Sequence, residues 1–159
     1  MIRVAIVTVS DSVAQNERQD VSGVVVAARC TEYGWHVLSR HVMRDDEASL
    51  RSLLLTLTEA GELDLILTTG GTGIGPRDIT PEATAAICTK LLPGFGEIVR
   101  QAGRAKTPRA ALSRAVAGVR QSTLVINLPG SPRGAVDSLE SVAELVPHAI
   151  EVLHGARHD

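Results

Sequence analysis

Residues Thr68–Thr84 read TTGGTGIGPRDITPEAT, a glycine-rich run between two segments that predict regular structure. The apolar residues Leu63–Thr69 lead into this run and predict a buried strand. Thr80-Pro81-Glu82 has the pattern of a helix start: a capping threonine, a proline at the first helical position and an acid in the first turn. We therefore expect a strand, a glycine-rich loop and a helix in this order.

The loop between them has little side-chain cover, because Gly70, Gly71 and Gly73 leave the backbone bare. Consecutive amides without side chains can point into one concavity and hold a phosphate, and Thr69 and Thr72 can add hydroxyl donors. The loop is not a Walker sequence, since no Gly-Lys-Ser/Thr follows, and its third glycine is misplaced for the dinucleotide fingerprint. A tight turn that binds no ligand is the alternative interpretation.

Acidic residues lie in this loop and after an earlier predicted strand. Asp78 would repel a phosphate on the loop unless a cation lay between them, which favours Mg²⁺, an ion that binds carboxylate and phosphate oxygens. Capping of the next helix is the other role open to Asp78. Asp45, Asp46 and Glu47 precede a predicted helix and by default stabilise its dipole, unless one of them faces the glycine-rich loop.

Two further segments are candidate parts of a binding site. Asn127–Arg133 (NLPGSPR) follows the last predicted strand, and its prolines and glycine make a rigid loop that either shapes a pocket wall or forms an ordinary turn. Ser113 and Arg114 lie in the basic stretch 104–114. This stretch is either a solvated surface or a site for a second anionic group, because a guanidinium can bind phosphate through two nitrogens.

Strands and helices alternate along the chain. The predicted strands are Ile2–Val9, His36–Met43, Leu63–Thr69, Ala115–Arg120 and Thr123–Asn127, and Ser10–Gln19 is predicted to be a loop. The predicted helices are Asp20–Tyr33, one capped by Asp45 or Asp46 and running through Leu57, one from Thr80 to near Pro93, Phe95–Ala102, and Ala135–His154 with a kink at Pro147. This order predicts one α/β domain over residues 1–159, with a mostly parallel sheet covered on both faces and ligands beyond the carboxyl ends of its strands.

The composition argues against two classes of partner. A formal net charge of −2 and an aromatic content of 2% provide neither a basic surface nor stacking side chains for nucleic acid. No apolar run has the length of a membrane span and no signal-peptide pattern precedes the first strand, so we expect no membrane partner and a cytoplasmic location. The histidines show no metal-ligand spacing, and Cys30 and Cys88 are expected to be small buried residues.

Several segments together resemble the molybdopterin adenylyltransferase family, which includes bacterial MogA and MoaB proteins and the G domains of gephyrin-like proteins. They are TTGGTG followed by RD-x-TPEAT, with VTVSDS, DVSG, DDEASL, PGFGE, ALSRAVAGVR and NLPGSP, in the same order over essentially the whole chain. The resemblance implies a three-layer α/β/α fold and assembly as a homotrimer or hexamer. It also implies Mg²⁺-dependent transfer of AMP from ATP to the terminal phosphate of molybdopterin, with release of pyrophosphate and hand-over of the product to a molybdenum-insertion enzyme.

The resemblance further implies roles for particular residues. Asp46 and Asp78 match the paired catalytic acids that hold the metal, although this chain has Asp-Asp-Glu where the family commonly shows Pro-Asp-Glu. Ser113, followed by Arg114, matches the position associated with the molybdopterin phosphate. The residues expected to enclose the substrates are Thr69, Gly70, Gly71, Thr72, Gly73, Asn127, Pro129, Gly130 and Ser131. A non-catalytic molybdopterin-binding or scaffold relative and a pyrophosphatase-like hydrolase are the competing interpretations.

Overall fold

A six-stranded sheet lies at the centre of the computed structural model, which describes residues 1–156. Its strands are β1 (Arg3–Val9), β2 (His36–Met43), β3 (Leu65–Thr69), β4 (Lys90–Leu91), β5 (Ala117–Arg120) and β6 (Thr123–Leu128). They lie in the order β2-β1-β3-β6-β5-β4, with β2, β1, β3 and β6 parallel and with β4 and β5 antiparallel to their neighbours. The predicted mostly parallel sheet is confirmed.

Helices cover both faces of the sheet, which gives the three layers. They are α1 (Asp11–Ala14), α2 (Val21–Glu32), α3 (Glu47–Glu59), α4 (Thr80–Ile87), α5 (Pro93–Arg104), α6 (Pro132–Val142) and α7 (Leu145–Leu153), with a 3₁₀ turn at Pro108–Leu112. On one face, α2, α5, α6 and α7 share a core with the sheet, to which Val26 and Leu139 belong. On the other, Leu50 of α3 and Ala83 of α4 share a second core with Ile66. None of the helices in residues 1–156 has the length and apolarity that a membrane crossing requires.

The central strands are buried on both faces, as expected for near-continuous apolar runs in a parallel sheet. Their register aligns the carboxyl ends: Thr8 pairs with Thr69, Thr69 with Leu128, and Val9 with Met43. The loops that follow β1, β2, β3 and β6 therefore meet at one edge of the sheet. We call this edge the carboxyl rim, and it is where the sequence predicted the ligand site.

Two predictions of helices and loops were wrong. The helix that begins at Thr80 ends at Ile87, and Lys90–Leu91 then form the short edge strand β4 before α5 begins at Pro93. Both residues of β4 are exposed, so no apolar periodicity marks this strand in the sequence. The predicted loop Ser10–Gln19 contains the one-turn helix α1.

The closing segment was also predicted incorrectly, as one helix kinked at Pro147. Two helices form instead, and the helical hydrogen-bond pattern is interrupted between them at Ala143–Glu144. Proline lacks an N–H group and its ring clashes with the carbonyl four residues earlier, here that of Ala143. The disruption therefore falls before the proline, which occupies the first turn of α7.

Candidate functional site

A cleft of about 920 Å³ opens at the carboxyl rim. We call it the first cleft; its walls include Asp45, Thr69, Gly70, Gly71, Asp78 and Gly130. A second cleft of about 830 Å³ lies between α5, the 3₁₀ turn and α6, and its walls include Thr72, Gly73, Arg109, Ser113, Pro129 and Arg133. Residues 70–75, which we call the glycine loop, contribute to both walls, so this loop separates the two clefts.

The glycine loop turns back against β1 and α4 in a conformation that requires glycine. Gly70 has φ of +101° and a Cβ on it would lie 2.3 Å from the carbonyl oxygen of Val9. Gly71 has φ of +70° and its Cβ would lie 2.3 Å from the hydroxyl oxygen of Thr80. That hydroxyl donates to the Gly70 carbonyl at 2.8 Å, and the N-cap of α4 is Ile79. The predicted capping role of Thr80 was therefore wrong, because its side chain holds the loop instead.

Several amides of this loop remain available for a ligand. Within residues 1–156, Gly71, Thr72 and Gly73 donate no backbone hydrogen bond. The Gly70 amide donates to the Leu128 carbonyl at 3.1 Å, and the Thr69 hydroxyl donates to the Pro129 carbonyl at 2.7 Å. The anion-binding capacity of the loop therefore lies in its Gly71–Gly73 amides, between the two clefts.

The side chain of Asp78 folds back onto the glycine loop. Its Oδ2 accepts from the Gly75 amide at 2.8 Å, and a Cβ on either Gly73 or Gly75 would lie 2.9 Å from this oxygen. Glycine at these positions leaves room for the carboxylate. Asp78 is half-buried and lines the first cleft, beside the free amides.

The two aspartates that follow β2 point in different directions. Asp46 is exposed and caps α3: its Oδ2 accepts from the amide and the hydroxyl of Ser49, and these hydrogen bonds lower the pKa of Asp46. Asp45 is half-buried and lines the first cleft, with Oδ1 3.3 Å from the position of a Cβ on Gly71. Burial raises the pKa of Asp45, and the charges of Asp11 and Asp78 add to this effect.

Asp11 and Arg77 hold Asp45 in place. The Asp11 amide donates to Asp45 Oδ2 at 2.9 Å, and the Asp45 amide donates to Asp11 Oδ1 at 3.0 Å. Arg77 donates to both carboxylate oxygens of Asp11, at 2.9 and 3.0 Å, which lowers the pKa of Asp11. We call these three residues the rim clamp. The guanidinium of Arg77 is thereby committed to Asp11.

Arg114 is also committed to contacts within the protein. Its Nε donates to the Gly73 carbonyl at 2.7 Å, its Nη2 to the Asp78 carbonyl at 2.9 Å, and its Nη1 to the Glu82 carboxylate at 2.6 Å. Its amide donates to the Thr72 carbonyl at 2.8 Å. Arg114 therefore stabilises the glycine loop through hydrogen bonds to its carbonyl groups, whereas the neighbouring Ser113 lines the second cleft.

The second cleft has a basic wall. Arg109 and Arg133 form no ion pair with any described residue, and Lys106 pairs with Asp137 at 2.8 Å. Arginine side chains beside the Ser113 hydroxyl and the free loop amides make an environment that suits a phosphate group.

The end of β6 and the loop that follows it contribute residues to both the interior and the rim. Asn127 is 1% exposed: its Nδ2 donates to the hydroxyls of Thr68 and Thr84, and its Oδ1 accepts from the Val116 amide. Gly130 packs against Gly70, where a Cβ would lie 3.3 Å from the Gly70 Cα. Ser131 caps α6 and lines both clefts.

The structure thus brings together most of the predicted site residues. The first cleft contains Thr69, Gly70, Gly71, Asp78, Gly130 and Ser131, and the second contains Thr72, Gly73, Ser113, Pro129 and Ser131. Asp46, Arg114 and Asn127 line neither cleft. Sequence reasoning missed Asp11 and Arg18, which lie at the rim. An acid directly after the first strand was a usable signal for Asp11, whereas no pattern marks Arg18.

The parallel sheet, the bare loop amides and the two clefts define an α/β domain with a candidate ligand site at its carboxyl rim. Residues 5–148 match the sequence profile of a family described as a probable molybdopterin binding domain. The chain belongs to this family, and the resemblance inferred from its motifs is confirmed.

Curated relatives and solved structures agree with this assignment. The chain is 36% identical to the molybdopterin adenylyltransferase of Helicobacter pylori strain J99, over 97% of the chain and 89% of the relative. It is 33% identical to the enzyme of the same name from Escherichia coli K12, over 97% and 86%. Among solved structures, MoaB from Thermus thermophilus has a TM-score of 0.92 at 43% identity, covering 100% of both chains. The tungsten cofactor synthesizing protein MoaB from Pyrococcus furiosus has a TM-score of 0.83 at 31% identity, over 96% and 97%.

Proposed function

We propose that this protein is a molybdopterin adenylyltransferase of molybdenum cofactor biosynthesis, which transfers AMP from ATP to the terminal phosphate of molybdopterin and releases pyrophosphate. The observation that carries the proposal is the glycine loop, whose free amides lie between an acidic cleft and a basic one. Relatives named for this activity, at 33% and 36% identity over nearly the whole chain, support it.

The two clefts suit two different anionic substrates. The first cleft contains the carboxylates of Asp45 and Asp78, which suit a triphosphate that arrives with a divalent cation. The second contains Ser113, Arg109 and Arg133, which suit a phosphate monoester that arrives without one. We therefore place ATP in the first cleft and the molybdopterin phosphate in the second, with the reacting groups at the glycine loop.

The chemistry requires positioning more than proton transfer. A phosphate monoester has a second pKa of about 6 and is largely ionised at neutral pH, so its attacking oxygen needs no general base. This oxygen forms a bond to the α-phosphorus of ATP while the bond from that phosphorus to the bridging oxygen breaks, and pyrophosphate leaves with the electron pair. The loop amides reduce the repulsion between the two anions and hold them in line.

The acids of the first cleft fit Mg²⁺. Asp45 and Asp78 both line the first cleft, and Mg²⁺ typically binds one or two carboxylates and completes its shell with phosphate and water oxygens. Asp78 supplies one carboxylate, and the resemblance assigns the other to Asp46, an assignment that stays a prediction. When bound, Mg²⁺ would neutralise charge on the triphosphate and on departing pyrophosphate.

We also propose the setting implied by the resemblance: a homotrimer or hexamer in the cytoplasm that passes its product to a molybdenum-insertion enzyme. Light scattering on the purified chain measures the assembly. A monomer at working concentration would contradict the trimer and the hexamer without touching the catalytic proposal.

A direct assay tests the activity. The chain is incubated with molybdopterin, ATP and Mg²⁺, and the products are separated by chromatography and identified by mass. We expect adenylated molybdopterin and pyrophosphate in equal amounts. Binding of molybdopterin without product would favour the scaffold interpretation, and cleavage of ATP without any pterin would favour a hydrolase. The variant Glu151→Gln serves as the control, because Glu151 on α7 is exposed and lines neither cleft.

A further inference from the structure

We propose that Arg114 is a positioning residue that directs the backbone amides of Gly73 and Ile74 toward a phosphate group of a bound substrate. The inference rests on the proposed function for the identity of that substrate. It gives Arg114 a role other than the direct phosphate contact that its place beside Ser113 suggests, and it adds the Ile74 amide to the site.

Arg114 binds the carbonyl side of two consecutive peptide groups in the glycine loop. Its amide donates to the Thr72 carbonyl at 2.8 Å, and its Nε donates to the Gly73 carbonyl at 2.7 Å. A trans peptide group is planar, so its C=O and the N–H of the following residue point in opposite directions. No peptide bond within residues 1–156 is cis. The amides of Gly73 and Ile74 therefore point away from Arg114.

These two amides are available to a ligand. Within residues 1–156 neither the Gly73 nor the Ile74 amide donates a hydrogen bond. Gly73 lies in the wall of the second cleft, and Ile74 is exposed. Successive N–H groups directed to one side of a turn form a concavity that binds anions. Because Arg114 fixes the carbonyl groups on the other side, the amides are held in place before a ligand arrives.

The remaining contacts of Arg114 argue against direct phosphate binding. Its Nη2 donates to the Asp78 carbonyl at 2.9 Å, and its Nη1 donates to both carboxylate oxygens of Glu82, at 2.6 and 3.0 Å. Each guanidinium nitrogen thus has an acceptor within the protein, and the charge of Glu82 offsets that of Arg114. A planar guanidinium can serve acceptors in several fixed directions, which the single ammonium of lysine cannot. These contacts suit a residue that holds the glycine loop in shape.

The ion pair with Glu82 gives the two roles opposite signs. If Arg114 bound phosphate directly, removal of the Glu82 charge would release the guanidinium and strengthen phosphate binding. If Arg114 positions the loop, the same removal loosens the guanidinium and weakens phosphate binding. The side chains of Glu82 and Arg114 are 44% and 39% exposed, and an exposed ion pair contributes little to stability, so we expect Glu82→Gln to fold.

Nuclear magnetic resonance tests the proposal without relying on turnover. The amide signals of Gly73 and Ile74 are followed in nitrogen-15-labelled wild-type chain, Arg114→Lys, Glu82→Gln and Arg51→Lys. Each is titrated with molybdopterin and, separately, with a non-hydrolysable ATP analogue and Mg²⁺, which shows which substrate supplies the phosphate group. Arg51→Lys is the matched control, because Arg51 also forms an exposed ion pair but lines neither cleft.

We expect both amide protons to shift downfield in the wild-type chain and in Arg51→Lys, because each donates to a charged oxygen. Arg114→Lys should reduce these shifts by about twofold or more and weaken binding of the ligand by about tenfold. Glu82→Gln should weaken binding by about threefold. Thermal unfolding of each variant shows whether it is folded, and Glu82→Gln decides alone if Arg114→Lys is not.

The outcomes separate this inference from the proposed function. Shifts of full size in a folded Arg114→Lys, tighter binding in Glu82→Gln, or no shift of either amide in the wild-type chain with either ligand would each overturn the inference. If the amides respond as expected but the wild-type chain makes no adenylated molybdopterin, the positioning role stands and the proposed function fails. If product forms while the shifts are equal in all variants, the inference alone fails.

Discussion

The two ends of the parallel strands treat their acids in opposite ways. At the amino end, Asp64 is 5% exposed and accepts three hydrogen bonds from Arg3, from the amide at 2.9 Å and from two guanidinium nitrogens at 3.0 Å. At the carboxyl rim, neither Asp45 nor Asp78 forms an ion pair within residues 1–156, and Arg77 is paired with Asp11 instead. A compensated acid stabilises the fold, whereas the proposed function assigns the unpaired acids of the rim to a ligand. The difference predicts which substitutions cost stability and which cost function.

Removal of the Asp78 carboxylate should have the largest effect on activity. We expect Asp78→Ala to lower kcat/KM for adenylyl transfer by about 10³-fold, because the charge that holds the cation on the triphosphate is lost. Thermal unfolding and molybdopterin binding should stay close to wild type. Steady-state kinetics measure the activity and calorimetry measures stability and binding. Full activity in this variant would contradict a catalytic role for the Asp78 carboxylate.

A methyl group in the glycine loop should lower the stability of the fold. We expect Gly71→Ala to lower the free energy of unfolding by about 3 kcal/mol, because φ is positive and the new Cβ meets Thr80. Gly94 in α5 is the matched control: its Cβ would meet nothing within 4 Å, and Gly94→Ala should change stability by less than about 1 kcal/mol. Denaturant unfolding measures both. Equal stability of the two variants would show that the loop is not constrained as described.

Substitution of Asp64, at the amino end of the strands, should lower stability rather than activity. We expect Asp64→Asn to lower the free energy of unfolding at neutral pH by about 2 kcal/mol while adenylyl transfer by the folded enzyme continues. Burial alone would raise the pKa of Asp64, but the hydrogen bonds from Arg3 outweigh it and lower the pKa from its ordinary value of 3.8.

The sign of the pH dependence follows from that lowered pKa. The stabilisation by Asp64 is fully present above pH 3.8 and is lost as the pH falls through the lower pKa of the folded state. Unfolding measured in this acid range should therefore show a component in the wild-type chain that Asp64→Asn lacks. An unchanged acid profile in the variant would contradict the pairing with Arg3.

The smallest effect should come from the second cleft. We expect Ser113→Ala to raise KM for molybdopterin by about tenfold, through loss of one hydrogen bond to a charged phosphate, with KM for ATP unchanged. Ser52→Ala, on the exposed side of α3, is the control. A rise in KM for ATP of similar size would show that the two clefts do not divide the substrates as proposed.

The fold could be predicted in detail where a pattern within a few neighbouring residues specifies a strand or a helix end. The central strands are apolar on both faces, and Asp20, Gly34 and Gly61 mark helix ends where the structure has them. The strand β4 and the division of the closing helix were not predicted. β4 has only two residues, both exposed, so no apolar periodicity marks it. The division of the closing helix depends on where the helix is interrupted before Pro147, and the presence of a proline does not specify that position.

The sequence by itself determined the family, the order of the main strands and helices, and the position of the glycine loop at the carboxyl rim, because apolar periodicity and glycine and proline patterns act over a few residues. Only the tertiary structure decided which polar side chains reach the clefts. The orientation of Asp45 depends on Asp11, 34 residues away, and Arg114 reaches the loop 41 residues earlier. Contacts at such separations exist only after the sheet has assembled, so neighbouring residues as alike as Asp45 and Asp46 make different contacts.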